Sequence, residues 1–233
     1  ILQMLKMVIF DFDGVISDSE KLHFQTIKEV MVEDGLSLTW ETYESSYLGF
    51  DDRGSFQLAL NQHNKQTSAD IIAEMCQRKL KKFIALLDHH CVILPGAKAL
   101  LADLAKHNIP CGICTGSMRL EAEAILNNAD MRHYFIDIVT ADDVKISKPD
   151  PEGYILSYQQ INKCANITPP ATTEECLVIE DSMWGIASAQ KANLKCLAVE
   201  TTYPASKLTM ADHVVKSLED LNAKKLINIF ATL

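Results

Sequence analysis

Short apolar runs and amphipathic stretches alternate along most of the chain. Apolar runs typical of buried strands cover residues 7–11, 109–115, 136–140, 176–181, 195–199 and 213–215. Helical patterns lie between them, at residues 97–107, 118–128, 151–162 and 184–192. Alternating strands and helices are typical of a parallel sheet with right-handed crossovers and helices on both faces. The pattern therefore predicts an α/β fold with a doubly wound parallel sheet, in which Ser117 and Ser182 are the expected N-caps of two helices.

One interval, directly after the first predicted strand, breaks this alternation. Helical stretches follow one another there, at residues 19–34, 38–46, 52–62 and 68–88. An insertion at this point lies over the strand ends, where open α/β sheets bind their ligands. We therefore expect two domains: a catalytic core of residues 1–16 and 91–233, and a small, all-helical cap domain of residues 17–90.

Composition narrows the class of partner. The 233 residues are 48% hydrophobic, which is enough for one sizeable core and a small second module. The formal net charge of −9 argues against nucleic acid or an anionic membrane as the main partner. The chain has no apolar run long enough to span a membrane, no secretory signal pattern at its start, and seven cysteines without regular spacing. We expect a cytoplasmic protein, monomeric or homodimeric, that binds a small molecule.

The first strand ends in two carboxylates, Asp11 and Asp13, followed by Gly14. Side chains alternate along a strand, so the two acids are expected on the same face. Like charges this close repel unless a cation lies between them or one holds a proton. One carboxylate of such a pair can attack phosphorus, and the other can protonate the departing alcohol and then take a proton from water. A pair of turn-capping aspartates is the alternative.

Three further motifs follow other predicted strands. Thr115 and Gly116 offer a hydroxyl and backbone N–H groups at a helix start, which suits a phosphate group. Lys148 lies in a proline-rich loop, where a fixed ammonium can bridge a carboxylate and a phosphoryl group. Glu180 and Asp181 are hard oxygen ligands of the kind that Mg²⁺ prefers. Each motif alone also fits an ordinary turn, a surface lysine or acids at a helix start.

The order of the motifs is acid pair, hydroxyl, lysine, acid pair, each after a different strand. In this combination the chain resembles the haloacid dehalogenase superfamily of phosphohydrolases, in the branch whose helical cap follows the first motif. The resemblance covers nearly the whole chain. It implies a Rossmann-like core and an Mg²⁺-dependent phosphatase that hydrolyses a small phosphomonoester, of the phosphoglycolate or sugar-phosphate type, through an aspartyl-phosphate.

The resemblance also implies roles for individual residues. Asp11 matches the nucleophile, and Asp13 matches the general acid and base. Thr115 and Gly116 match the phosphate-binding positions, while Lys148 matches the lysine that steadies the nucleophile and the phosphoryl charge. The implied metal ligands are Asp11, Asp13 through its backbone carbonyl, Asp181, and Glu180 either directly or through a water.

The cap is expected to select the substrate, because the core contacts only the phosphoryl group. Glu20 and His23 lie three residues apart on the first cap helix and so share a face. Gly49 would give a loop that approaches the substrate closely, and Arg53 or Lys79 can meet a substrate anion. Ordinary surface charge is the alternative for the last two. The candidates are Ser17, Glu20, His23, Gly49, Arg53 and Lys79.

Three other functions remain open. A β-phosphoglucomutase-like enzyme shares the core motifs and the His23, Gly49 and Lys79 pattern, but the mutase pattern resembles Asp-Thr-Ala where this chain has Asp18-Ser19-Glu20. That departure favours a phosphatase. A dehalogenase would need neither Asp13 nor a metal ion. A non-catalytic binding protein would be expected to have lost a motif residue, and none is lost.

Overall fold

The structure is a computed structural model that describes residues 4–48, 50–90 and 93–233. The strands are β1 (Met7–Phe10), β2 (Cys111–Cys114), β3 (Phe135–Val139), β4 (Cys176–Glu180), β5 (Lys195–Val199) and β6 (His213–Val215). The helices are α1 (Glu20–Glu33), α2 (Trp40–Ser46), α3 (Asp52–Gln62), α4 (Ala69–His90), α5 (Ala97–Lys106), α6 (Arg119–Asn128), α7 (Glu152–Cys164), α8 (Met183–Lys191) and α9 (Ala223–Phe230).

The strands form one parallel sheet in the order β3-β2-β1-β4-β5-β6. The predicted doubly wound α/β fold is confirmed. β1 lies in the middle, where Val8 is paired with Cys111 of β2 on one side and with Leu177 of β4 on the other. The chain builds the sheet outward to β3 and then returns to the other side of β1. Ligands of open α/β sheets bind at such a reversal, outside the carboxyl ends of the strands.

Side-chain alternation along β1 divides the core into two layers. Val8 and Phe10 are buried in the cluster formed with α5, α6 and α9. Met7 and Ile9 are buried on the other face, with α7 and α8. A slip of one residue would exchange these faces, so apolar burial fixes the register of β1 and with it the position of the acids that follow.

The segment between β1 and α5 contains the helices α1 to α4. They share an apolar cluster of their own, which runs from Ile27 to Cys76 and includes Tyr43 and Phe56. Phe83 of α4 instead joins the cluster beneath the sheet. The helical segment therefore has its own apolar interior and is also packed against the sheet domain. Within the described residues, no helix is both long enough and apolar enough to cross a membrane.

Two predicted helix starts have different outcomes. Ser182 is the N-cap of α8, as predicted, and its hydroxyl accepts from the backbone N–H of Gly185 at 3.1 Å. The prediction for Ser117 is wrong, because Met118 is the N-cap of α6. The Ser117 hydroxyl donates to Asp13 instead, at 2.5 Å.

Candidate active site

The carboxyl ends of three neighbouring strands bring the main motifs together. Asp11 follows β1, Thr115 follows β2 and Asp181 follows β4. Because β1 lies between the other two strands, its aspartate lies between the hydroxyl and the second acid. These side chains line a cavity of about 140 Å³, which Gly116 and Lys148 also line. The structure thus places the core residues predicted for phosphate and metal binding around one space, except for Glu180.

Lys148 connects the two acid motifs. Its ammonium lies 2.5 Å from Asp11 Oδ1 and 2.7 Å from Glu180 Oε1, and it also donates to the carbonyl of Cys114 at 3.0 Å. Burial lowers the pKa of a lysine, but here the carboxylates of Asp11 and Glu180 raise the pKa of Lys148 well above its usual value. The loop lysine is therefore a fixed cation beside Asp11.

Glu180 is completely buried and lies behind the cavity rather than on its wall. Its Oε1 accepts from Lys148 and from the hydroxyl of Tyr154, at 2.7 and 2.9 Å. Its Oε2 accepts from the backbone N–H groups of Asp181 and Ser182, at 2.9 and 3.0 Å, and from the Ser182 hydroxyl at 2.9 Å. Burial raises the pKa of Glu180, but Lys148 and these donors outweigh it and lower the pKa. These contacts make Glu180 a support for Lys148 and for the β4–α8 turn.

The carboxylates of Asp11 and Asp181 are not fully compensated by nearby cations. Burial, together with the nearby Glu180 and Asp181 carboxylates, raises the pKa of Asp11 well above its usual value, despite the opposing effect of Lys148. Burial and Glu180 likewise raise the pKa of Asp181. Oxygens of Asp11, Glu180 and Asp181 all lie within 4.8 Å of one another. A divalent cation would offset this repulsion, and an all-oxygen donor set suits Mg²⁺.

Gly14 allows the loops after β1 and β4 to approach each other closely. Its φ is +85°, a backbone conformation that residues other than glycine rarely adopt. A Cβ atom at this position would lie 1.9 Å from Asp181 Oδ2. The glycine after the first acid pair is therefore required both by its backbone conformation and by its distance to the second pair.

Asp13 points toward the helical segment. It accepts hydrogen bonds from Ser117 Oγ at 2.5 Å and from Ser19 Oγ, and its Oδ1 lies 3.6 Å from His23 Nε2. Burial alone would raise the pKa of Asp13, but His23 and the two hydroxyls lower it to about 2. Asp13 is therefore an ionised carboxylate in this arrangement, able to accept a proton.

Two of the predicted cap residues, Glu20 and His23, line the cavity. The Tyr43 hydroxyl donates to Glu20, and burial raises the pKa of this carboxyl. His23 contacts Asp13 through one ring nitrogen and Lys79 through the other, at 2.7 Å between Lys79 Nζ and His23 Nδ1. Glu20 and His23 thus share a face, as predicted, and that face is directed to the cavity that Asp11 and Asp13 also line.

Arg53 and Lys79, predicted to meet a substrate anion, do not line this cavity. Lys79 is fully buried, with its Nζ atom 2.6 Å from Glu121 Oε1 of α6 and 2.9 Å from Asp52 Oδ2 of α3. Arg53 is directed to the core surface, where its guanidinium lies 3.4 Å from Asp142 Oδ1. Acidic neighbours hold both cations outside the cavity wall in this arrangement. Contact of either residue with a substrate anion stays a prediction.

The two remaining cap candidates lie in loops. Gly49 is outside the described residues. Ser17 is buried and forms backbone bridges to Asp13 and to Ile93, at the two connections between the sheet and the helical segment. Its position indicates a part in joining these segments.

Several residues around the site were not predicted from the sequence. Tyr154 of α7 donates to Glu180, and Trp184 and Tyr203 line the cavity. Trp184 lies two residues after Ser182, at the end of the Glu180-Asp181-Ser182-Met183-Trp184 segment, so its place near the site was detectable. Tyr154 and Tyr203 had no such signal, because they come from elements that reach the site only through the tertiary fold.

Comparison with known proteins shows similarity over most of the chain. The family model described as haloacid dehalogenase-like hydrolase matches residues 8–199. The validoxylamine A 7′-phosphate phosphatase of Streptomyces hygroscopicus subsp. limoneus is 29% identical over 220 residues, which are 94% of this chain and 96% of that protein. The fructose-1-phosphate phosphatase of Escherichia coli strain K12 is 29% identical over 200 residues, which are 82% of this chain and 95% of that protein.

A solved structure is similar over nearly the full length. The crystal structure of β-phosphoglucomutase from Clostridium difficile has a TM-score of 0.85 at 26% sequence identity, and the alignment covers 98% of each chain. Both the sheet and the helical segment therefore have counterparts in a protein of known structure.

Proposed function

The chain belongs to the haloacid dehalogenase-like hydrolases, and from that premise we propose that it is an Mg²⁺-dependent phosphatase that hydrolyses a small phosphomonoester through an aspartyl-phosphate on Asp11. The family match agrees with the resemblance seen in the four motifs. The names of the two curated relatives favour a phosphorylated sugar or sugar-like substrate for this chain as well.

One observation carries the proposal: the Asp11 carboxylate lies in a cavity with a hydroxyl, a cation and a second acid around it. Thr115 and the backbone of Gly116, which line this cavity, would hold phosphoryl oxygens. Lys148, which donates to Asp11, would offset the charge of both the nucleophile and the phosphoryl group. Phosphoryl transfer depends mainly on such positioning and electrostatic compensation. In the first step, an Asp11 oxygen bonds to phosphorus while the bond from phosphorus to the ester oxygen breaks.

The acidic residues fit a divalent metal ion. Asp11 and Asp181 line the cavity and have raised pKa values, so they are the side chains that would hold Mg²⁺, together with the backbone carbonyl of Asp13. Glu180 would act from behind the site, since its oxygens already accept five hydrogen bonds. When bound, the ion supplies positive charge that reduces the repulsion between the carboxylates and a phosphate dianion.

Asp13 is the proposed proton carrier. With a pKa of about 2 it is ionised at neutral pH and has a low affinity for protons while these contacts are made. Because His23, Ser19 and Ser117 lower this pKa, loss of their contacts would raise it and let Asp13 protonate the leaving oxygen. In the second step Asp13 takes a proton from water, the water oxygen bonds to phosphorus, and the bond to Asp11 breaks to release phosphate.

The helical segment, residues 17–90 in the proposed division, would act as the cap over this site, with residues 1–16 and 91–233 as the core. It supplies Glu20, His23 and Tyr43 to the cavity wall. A cap of this kind excludes water and contacts the leaving group, while the core contacts the phosphoryl group. Movement of α1, which holds His23 near Asp13, would connect cap position to the proton affinity of Asp13.

The decisive assay measures phosphate release from a panel of phosphorylated sugars and small metabolites, with Mg²⁺ and after its removal by EDTA. We expect release that depends on Mg²⁺ and is lost in the Asp11→Asn and Asp13→Asn variants. Asp137→Asn, on β3 and away from the cavity, is the matched control and should keep full activity. Isomerisation of a sugar phosphate without net release would identify a mutase, and full activity of Asp11→Asn would refute the proposal.

A further inference from the structure

The charges around the cavity are unequally distributed between its two ends. Among the described residues that line it, the cations are Lys148 and the ring of His23. Lys148 is held by Asp11 and Glu180, and His23 lies against Asp13. Lys148 therefore lies at the end where the phosphoryl group is expected, and the charge of His23 is already compensated by Asp13. The opposite end, which the helical segment forms, is where a leaving group would lie.

The leaving-group end is acidic instead. Glu20, Asp51 and Asp52 line it from the helical segment. Asp51 accepts from the backbone N–H of Gly54 at 2.7 Å and from the Ser147 hydroxyl at 2.6 Å. Asp52 is paired with Lys79. These two acids are already occupied by protein partners.

Glu20 has spare capacity to accept hydrogen bonds. An ionised carboxylate can accept about four hydrogen bonds. In the described part of the chain, the Glu20 side chain accepts one, from Tyr43. Burial raises its pKa, as expected for a carboxylate with too few donors. His23 and Lys79 partly oppose this shift, but both are already paired with acids of the protein. A ligand that brings hydroxyl or ammonium donors would stabilise Glu20, whereas a ligand carboxylate or second phosphate would add a like charge beside it.

The rest of this end is aromatic and hydroxyl-bearing. The rings of Trp184 and Tyr203 are in edge-to-face contact, with centroids 5.9 Å apart and planes at 64°. The side chains of Ser147 and Thr202 also line the cavity, where Ser147 donates to Asp51 and Thr202 is hydrogen-bonded to Asp181. Aromatic faces beside a few polar groups suit a ligand with apolar C–H edges and several hydroxyls.

We propose that the leaving-group end selects polyol and amino-polyol phosphates, rejects esters whose leaving group is itself anionic, and discriminates between them through Glu20. This inference rests on the proposed phosphatase function and narrows its substrate class. It separates two substrates that the sequence motifs leave equivalent, phosphoglycolate and a sugar phosphate. The physical basis is Coulombic: a like charge a few ångströms from a buried carboxylate is disfavoured, and an opposite charge is favoured.

Two pairs of esters test the charge preference at nearly constant size. Ethanolamine phosphate and phosphoglycolate differ mainly in the charge of a short leaving group, and glucosamine 6-phosphate and glucose 6-phosphate differ by one ammonium. We expect kcat/KM to be at least about tenfold higher for ethanolamine phosphate than for phosphoglycolate. Glucosamine 6-phosphate should be hydrolysed at least as well as glucose 6-phosphate. Equal or better use of phosphoglycolate would overturn the inference.

Glu20→Gln tests the assigned residue, because it removes the charge and keeps the shape and the acceptor for Tyr43. It should reduce the preference for ethanolamine phosphate at least about threefold. The control is Glu41→Gln, which makes the same change on exposed α2 outside the cavity and should leave the ratio unchanged. An unchanged ratio in Glu20→Gln, or an equal effect of Glu41→Gln, would refute the role of Glu20.

A binding measurement separates failure of this inference from failure of the proposed function. The chain has two tryptophans, so Trp40→Phe leaves Trp184 as the single fluorophore, and it lies at the cavity. In the Trp40→Phe/Asp11→Asn protein, ethanolamine phosphate should bind at least about tenfold more tightly than phosphoglycolate. If the wild-type protein hydrolyses no ester, the proposed phosphatase function is refuted. The ratio of the two dissociation constants still tests the charge preference in that case. Equal affinities would overturn it.

Discussion

Replacing Lys79 with methionine removes the single ammonium from a buried group of acids. Lys79 and Glu121 have no solvent exposure, and Asp52 is 8% exposed. The ammonium lies 2.6 Å from Glu121 and 2.9 Å from Asp52, so the variant leaves two buried carboxylates without their cation. Removing one partner of a buried ion pair costs about 3–5 kcal/mol. We therefore expect Lys79→Met to lower the free energy of unfolding by that amount, measured by urea denaturation at pH 7.

The loss should depend on pH with a defined sign. Burial, with the Asp52 charge, already raises the pKa of Glu121, and Lys79 partly opposes this shift. Without Lys79 the folded-state pKa of Glu121 rises further above its unfolded value. The folded state then binds more protons, so stability falls as the pH rises through the window between the two pKa values. The destabilisation of Lys79→Met should therefore be largest at about pH 7 and shrink toward about pH 5.

Lys82→Met, one turn further along α4, is the matched control. Lys82 forms ion pairs with Glu29 and Glu33, but all three side chains are partly exposed to solvent. Exposed pairs contribute little, so this variant should unfold at nearly the wild-type urea concentration. Adding Glu121→Gln to Lys79→Met should recover part of the lost stability, because it removes one uncompensated charge. Equal effects of Lys79→Met and Lys82→Met would refute the reasoning.

Three further predictions concern the site itself. Gly14→Ala should abolish phosphate release, because the new Cβ atom would lie 1.9 Å from Asp181 Oδ2. Gly116→Ala should fold normally with the wild-type melting temperature, because a Cβ atom at residue 116 would meet open space. Tyr154→Phe removes a hydroxyl that lies 3.1 Å from Lys148 Nζ, and it should lower kcat of phosphate release by about tenfold while KM changes little. Removal of divalent metal with EDTA should abolish phosphate release, and added Mg²⁺ should restore it; activity that persists in EDTA would contradict the assignment of the acids.

Most of the sheet was predictable because its strands are continuous apolar runs between turns. Cys176–Glu180, predicted as 176–181, is buried along its whole length. The last helix, Ala223–Phe230, was not predicted, although Asn222 caps it by accepting from the Lys225 N–H at 2.8 Å. It is short, and its buried face becomes evident only when it is packed against the sheet layer that contains α5.

The core side of the site was predictable because topology alone brings strand ends to one edge. The environment of Lys79 was not, since its partner Glu121 lies 42 residues away on another helix. In the sequence Lys79 resembles the neighbouring Lys81 and Lys82, and only the packing of α4 against α6 buries it. The same holds for Glu180, whose hydrogen bonds to Tyr154 and Lys148 depend on tertiary contacts.

The central claim, that Asp11 receives the phosphoryl group, is tested most directly by mass spectrometry after acid quench. Acetyl phosphate is a suitable donor because its acetate leaving group needs no proton, so Asp13→Asn still permits the first step and slows the second. We expect this variant, incubated with Mg²⁺ and acetyl phosphate, to gain one phosphoryl group on the peptide that contains Asp11, and Asp11→Asn/Asp13→Asn to gain none. Two results would contradict the account. One is phosphate release by the wild-type protein together with no phosphoryl group on Asp13→Asn, and the other is a phosphoryl group on another residue.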